Sequence, residues 1–208
     1  GLTEETGGTG ADLHTAAVLD GDTYILNGEK TLISYAQYAN YAYVFAVTRP
    51  DSHKDDRLSA FLIPMDTPGL EVLPMPRPMG CRGAGYGKLR FTNVRVPKSC
   101  LIGKEGQGLR IATHSLAVSR AHVAVSNLGL CQRMLEVSIA RAKDRVTFGK
   151  PLASRQMIQS YLAEMGTYTH ALRTMLYDFA KDFDSGKEHE TKAAMVKYFS
   201  IVTAQKVS

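Results

Sequence analysis

The sequence lacks an apolar run approaching the roughly 18 residues that a bilayer-spanning helix needs. It has only three cysteines, Cys81, Cys100 and Cys131, an odd number and widely spaced. That argues against a disulfide framework and against zinc, and for a reducing compartment. Its six histidines, His14, His53, His114, His122, His170 and His189, show no metal-ligand spacing, so no metal site is expected. Lys and Arg are dispersed, without a basic run or interleaved aromatics, and the net charge is a modest +5. Nucleic acid is therefore not an expected partner. Weak positive charge does suit a phosphate-rich ligand. The first residues are acidic, Gly-rich and polar, unlike a signal peptide. Ser208 falls inside a helical pattern with no terminating Gly or Pro, so the chain is expected to be a piece of a longer protein.

What is present changes character along the chain. Its 208 residues suit one or two domains. Up to about Pro97 the pattern is β. His14 to Leu19 is a short apolar-rich run, followed by the turn signal Asp20-Gly21-Asp22. Thr23 to Leu26 alternates, and Asn27-Gly28 reads as another turn. Tyr43 to Thr48 and Ser59 to Met65 are apolar runs rich in β-formers, and Leu70 to Leu73 is short. Leu89, Phe91, Val94 and Val96 alternate with polar residues, with Asn93 as a slip point. Such strands predict an antiparallel barrel or sandwich.

After Gly108 the period becomes helical. Leu128, Cys131, Leu135, Ser138 and Ala142 recur at helix spacing. Ile158, Tyr161, Met165, Tyr168, Leu172, Met175 and Phe179 form one apolar stripe, closed by Asp184-Ser185-Gly186. Thr191 to Val207 begins a third helix. The expected architecture is α+β: a β-domain over residues 1–103, then an antiparallel helical bundle over 104–208.

Four segments carry candidate chemistry. Leu2-Thr3-Glu4-Glu5-Thr6-Gly7-Gly8-Thr9-Gly10 offers glycines for close backbone approach and hydroxyls that can donate to a flavin or pyrophosphate. Asn27 to Ser34 is a strand ending in a small hydroxyl. Met79-Gly80-Cys81-Arg82-Gly83-Ala84 is a loop that precedes the Leu89 to Pro97 strand. Arg145-Val146-Thr147-Phe148-Gly149-Lys150-Pro151-Leu152, with Gln156, follows a basic helix end suited to the negative helix dipole. Taken singly, each is a plain loop, hairpin or helix end.

In order and spacing the four together resemble the acyl-CoA dehydrogenase family. Its middle domain opens on a Thr-Glu-Pro-Gly-x-Gly-Ser-Asp-like loop. An Asn-Gly-x-Lys-x-Trp-Ile-Thr strand, a Met-Gly-x-Arg loop and an Arg-x-x-Phe-Gly-Lys-Pro turn follow. The resemblance implies FAD as cofactor and an acyl-CoA as substrate. It implies abstraction of the α-proton and transfer of the β-hydride to flavin N5. Leu2, Thr3, Leu32, Ile33 and Ser34 then belong to segments that wrap the flavin ring, with Ser34 near N5. Thr9 matches a residue touching both cofactor surroundings and acyl-CoA, and Arg120 one near the CoA moiety. Arg145 and Gln156 match residues that reach FAD across a subunit interface. A homo-oligomer, a dimer of dimers, is thereby implied, with an electron-transferring flavoprotein as a further partner. The compartment implied is the cytoplasm or the mitochondrial matrix.

The departures are informative. Glu5-Thr6 stands where Pro-Gly is usual, Leu32 replaces a flavin-shielding Trp, and Ala117 stands for Asp. Ser119 occupies the place where some members carry the catalytic Glu, so the base is expected beyond Ser208 and none is named here. Three alternatives follow. One is a crotonobetainyl-CoA or enoyl-CoA reductase-type enzyme. Another is an oxygen-using acyl-CoA oxidase or flavin monooxygenase relative, kept open by Leu32. The last is a catalytically silent binding homologue.

Overall fold

The structure is a computed structural model that describes residues 1–7 and 12–208. It divides into two compact units, Gly1–Thr113 and His114–Ser208. The first is built on β1 (Ala16–Asp20), β2 (Thr23–Ile33), β3 (Tyr41–Val47), β4 (Leu58–Pro64), β5 (Leu70–Pro74), β6 (Gly87–Pro97) and β7 (Leu101–Ile102). These form one seven-stranded sheet in the order β5-β6-β2-β1-β3-β4-β7. Every pairing is antiparallel except a single parallel bridge, Ala16 to Val47, between β1 and β3. The alternation at the head of β2 and along β6 puts Tyr24, Leu26, Leu89, Phe91, Val94 and Val96 into a common core with Val44, Phe61 and Ile63.

The unbroken apolar runs of β3 and β4 have a different cause. Both faces are covered where these strands run through residues 45–47 and 58–61. Val44, Ala46, Phe61 and Ile63 enter the main core. Phe45, Val47, Leu58 and Ala60 enter a second cluster with Leu13 and with Ala112, from the first turns of α1 (Gly108–Asp144).

Asn27-Gly28 corrects an expectation. It is not a hairpin turn: β2 runs straight through it, and the hairpin into β2 is made by Asp20 to Thr23. The dipeptide instead marks a register shift against β6 between Leu26 and Gly28. Opposite it, Asn93 has φ of 49°. The Asn27 carboxamide oxygen accepts the Asn93 N–H at 2.8 Å, and its Nδ2 donates to Asn93 Oδ1 at 3.1 Å. A β-bulge and a turn both call for residues that tolerate positive φ, so one dipeptide serves either. Glycine at 28 is also required by space, since a Cβ there would lie 2.7 Å from Thr15 Cα.

Gly69 closes the turn into β5 with φ of +88°, and a Cβ there would meet Thr92 O at 2.3 Å. The Gly69 carbonyl also accepts the Thr92 N–H at 3.0 Å. Gly69→Ala is expected to cost about 1–3 kcal/mol through the strained φ alone. A urea midpoint equal to wild type would contradict this.

The second unit holds the rest of α1, then α2 (Gln156–Asp184) and α3 (Glu190–Val207). Between α1 and α2 lies a tight hairpin, β8 (Val146–Thr147) and β9 (Lys150–Pro151). Ala121, Ala124, Leu172, Leu176, Phe179, Ala193 and Val196 form its core. Leu172 and Phe179 lie on the stripe read from sequence, while Tyr161 at the near end of that stripe stays exposed. Lys192, early in α3, reaches Asp178 near the end of α2 at 2.7 Å, and Lys206, late in α3, reaches Glu164 at 3.9 Å. The two helices therefore run antiparallel. Ser185 caps α2 and Gly186 takes φ of +68°, as the Asp-Ser-Gly signal predicts.

Candidate functional site: the end of strand β2

The far half of β2 outlasts its neighbour. Pairing with β1 ends at Asn27, opposite Ala16. The opening segment fills part of the space left beside β2. Thr3 O accepts the Thr31 N–H at 2.9 Å, and Gly1 O accepts the Phe45 N–H of β3 at 3.1 Å. Leu2 and Thr3 are half-buried alongside. Five of the sequence-read residues in this unit thus end in one region: Leu2 and Thr3 beside β2, Leu32 and Ile33 at its end, and Ser34 immediately after. Thr9 lies outside the described residues.

This end is strained and open. Leu32 has φ of 56° and Tyr35 φ of 60°. For non-glycine residues such values are uncommon and cost of order 1–3 kcal/mol each. Leu32 is nonetheless 59% exposed. Its backbone N–H donates to Met75 Sδ at 3.3 Å. Ile33 packs back against the main core, and Ser34 is exposed. The Tyr35 N–H donates to Ala84 O at 2.6 Å, which brings the Met79 to Ala84 loop to the same place. Ser34 and Ile33 border a cavity of about 180 Å³ with Ala36, Tyr43 and Leu89. An apolar side chain held outward, an exposed Ser34 two residues on and a close backbone suit a flat ring with polar edges. That is the form of a flavin, and the residues fit it.

Two residues that stand in the sequence motifs without a role assigned there, Glu4 and Lys30, hold this arrangement. Lys30 is 0% exposed, and its Nζ lies 2.7 Å from Glu4 Oε1 and 3.3 Å from Leu2 O. Glu4 also accepts the His14 N–H at 2.7 Å and the Thr15 N–H at 3.0 Å. Burial works to raise the Glu4 carboxyl, but the Lys30 ammonium and the two N–H donors outweigh it and hold it below the ordinary range. Burial pushes Lys30 down, with Glu4 opposing. A signal existed: Lys30 falls on the even positions of β2 that carry Tyr24 and Leu26 inward.

In the second unit Arg145 and Gln156 bracket the β8–β9 hairpin, both exposed. Leu152 N–H donates to Arg145 O at 2.8 Å, tying the two sides together. Phe148, at the hairpin tip, is 97% exposed with φ of 50°. The Arg155 guanidinium donates to Thr147 O at 2.9 Å and sits 5.8 Å from the Phe148 ring centre. Arg120 is half-buried on α1, and the Ser119 hydroxyl before it donates to Ser115 O at 2.9 Å. No cluster of three or more His, Cys, Asp or Glu side chains suited to a metal occurs among the described residues.

Both regions of the chain match known proteins. Residues 1–94 match the family model described as acyl-CoA dehydrogenase, middle domain, and residues 106–208 the one described as acyl-CoA dehydrogenase, C-terminal domain. An acyl-CoA dehydrogenase of Bacillus subtilis is 36% identical over 208 residues, covering 100% of this chain and 55% of that protein. An acryloyl-CoA reductase (NADH) of Anaerotignum propionicum is 36% identical, over 94% of this chain and 50% of that protein. The structure of butyryl-CoA dehydrogenase from Megasphaera elsdenii superposes with a TM-score of 0.96 at 34% identity, over 100% of this chain and 54% of that one. The chain spans about half the length of these relatives. With its sheet, its helices and both matched regions in the order that these relatives share, the chain belongs to the acyl-CoA dehydrogenase family.

Proposed function

We propose that this chain is part of an FAD-dependent oxidoreductase that removes hydrogen from the α and β carbons of an acyl-CoA thioester. The observation that carries the reading is the β2 end, where Thr31 bonds the Thr3 carbonyl, the strained Leu32 that follows is exposed, and Ser34 lies just beyond. Bound there, FAD would supply a hydride acceptor that no amino-acid side chain provides. The chain's own part is to hold and orient. Leu2, Thr3, Leu32, Ile33 and Ser34 would line the ring, with Leu32 covering a face and the hydroxyls addressing its polar edge. Thr9 would donate to the thioester ligand and Arg120 would pair with CoA phosphate. Holding donors against the thioester oxygen in a closed site is what makes the α-proton acidic enough to remove.

The carboxylate that takes the α-proton is proposed to lie outside Gly1–Ser208. Glu4 is committed to Lys30, His14 and Thr15, and Ser119 has no basic group to offer. A second reading keeps the site and reverses the direction, toward reduction of an α,β-unsaturated acyl-CoA. It is favoured by the likeness to the Anaerotignum reductase, which equals the likeness to the Bacillus dehydrogenase at 36% identity. Turnover of the full-length enzyme with saturated and unsaturated acyl-CoAs, against artificial electron donors and acceptors, separates the two.

Arg145 and Gln156 are proposed to reach FAD held by a neighbouring subunit of a homo-oligomer. Phe148, at the hairpin tip between them, is 97% exposed and open to contact with another chain. Arg145 carries a permanently charged, forked guanidinium suited to pyrophosphate. Arg145→Ala is expected to weaken FAD binding about ten- to a hundredfold, the worth of one charge-assisted hydrogen bond. Subunit assembly should weaken with it. Titration of full-length apoprotein with FAD, with light scattering in parallel, makes the check. Unchanged affinity and assembly would leave Arg145 only the helix-dipole role.

A further inference from the structure

We infer that Lys30 is the positioning residue of the flavin edge: through Glu4 and Leu2 O it fixes the opening segment against β2, and so sets where Leu2 and Thr3 stand. The inference rests on the flavin reading above. Lys30 is fully buried and makes two bonds, both to the opening segment: Glu4 Oε1 at 2.7 Å and Leu2 O at 3.3 Å. These flank Thr3, whose carbonyl takes the Thr31 N–H at 2.9 Å, one residue along β2 from Lys30. Glu4 is held in turn by the backbone of His14 and Thr15, on the approach to β1. One side chain thus links the segment to β2 by two charge-assisted bonds just where β1 no longer covers that strand.

A buried ion pair is weak evidence for stability, because well-packed neutral side chains of similar size often do as well. Its use here is geometric. A neutral replacement can fill the volume, but it cannot hold the Leu2 carbonyl. This separates positioning from support of the fold.

The test uses the full-length protein with Lys30→Met and with the double variant Glu4→Gln/Lys30→Met, in which no charge is left unpaired. Thermal midpoint, amide exchange at Thr31 and FAD affinity are measured on each. The double variant is expected to recover most of the thermal stability lost in Lys30→Met. Its Thr31 amide should still exchange at least about tenfold faster than wild type. Its FAD affinity should stay about ten- to a hundredfold down. FAD affinity that recovers together with the thermal midpoint would overturn the inference, and so would unchanged Thr31 exchange in both variants. If wild type binds FAD and Lys30→Met binds it equally well, the positioning role alone falls. If wild type binds no FAD, the flavin reading falls and takes the positioning role with it.

Discussion

Glu4→Leu is expected to destabilise the β-unit by about 3–5 kcal/mol, the cost of leaving a buried charge without its partner. Lys30 has no exposed surface, and Glu4 supplies its counter-charge. The same loss should be reachable by acid. The folded Glu4 carboxyl lies below its ordinary value of 4.5. A group depressed on folding contributes stability that is fully present above the unfolded value and is lost as pH falls through the folded one. Wild type should therefore weaken below about pH 4.5 and approach the Glu4→Leu variant, whose own profile is flatter there. Toward alkali the direction is the same, because Lys30 is also lowered on folding. With Glu4 gone, burial of Lys30 is no longer opposed by a carboxylate and lowers it further, so the variant should gain stability over a wider range as pH rises through that lowered value. Urea midpoints of both proteins across pH check this. A constant gap between the two acid limbs would mean that the pair does not stabilise the fold.

Phe61→Ala should cost about 3–5 kcal/mol, the range for a large aromatic truncated in a core that cannot collapse around the gap. Phe61 is fully buried in the main cluster and meets Tyr24 edge-on, ring centres 5.0 Å apart. Its neighbour Leu62 points the other way and is 44% exposed, so Leu62→Ala should stay within about 0.5 kcal/mol of wild type. The pair tests the register of β4, because a one-residue slip exchanges the two faces. Similar urea midpoints for the two variants would refute that register.

Much of the fold was legible because it depends on local period. The change from strand to helix near residues 97–108, the Asp184-Ser185-Gly186 stop and the Asn93 slip all appear where sequence places them. Asn27-Gly28 misled because its backbone preference is shared by turns and bulges. Only the continued pairing with β6 decides between them. The apolar runs of β3 and β4 predict strands but not what covers their second face, which the first turns of α1 supply.

By itself the sequence determined the β-then-α order and, through four motifs together, the residues around the β2 end and the β8–β9 hairpin. Period and motif spacing need only neighbours along the chain. The tertiary structure alone decided that Lys30 is buried, that Glu4 is its partner, and that Leu32 is strained yet exposed. These depend on which backbone passes beside β2 once β1 has ended. A charged side chain in sequence looks the same whether water or a carboxylate receives it. The cost of burial falls only when the chain has closed around it.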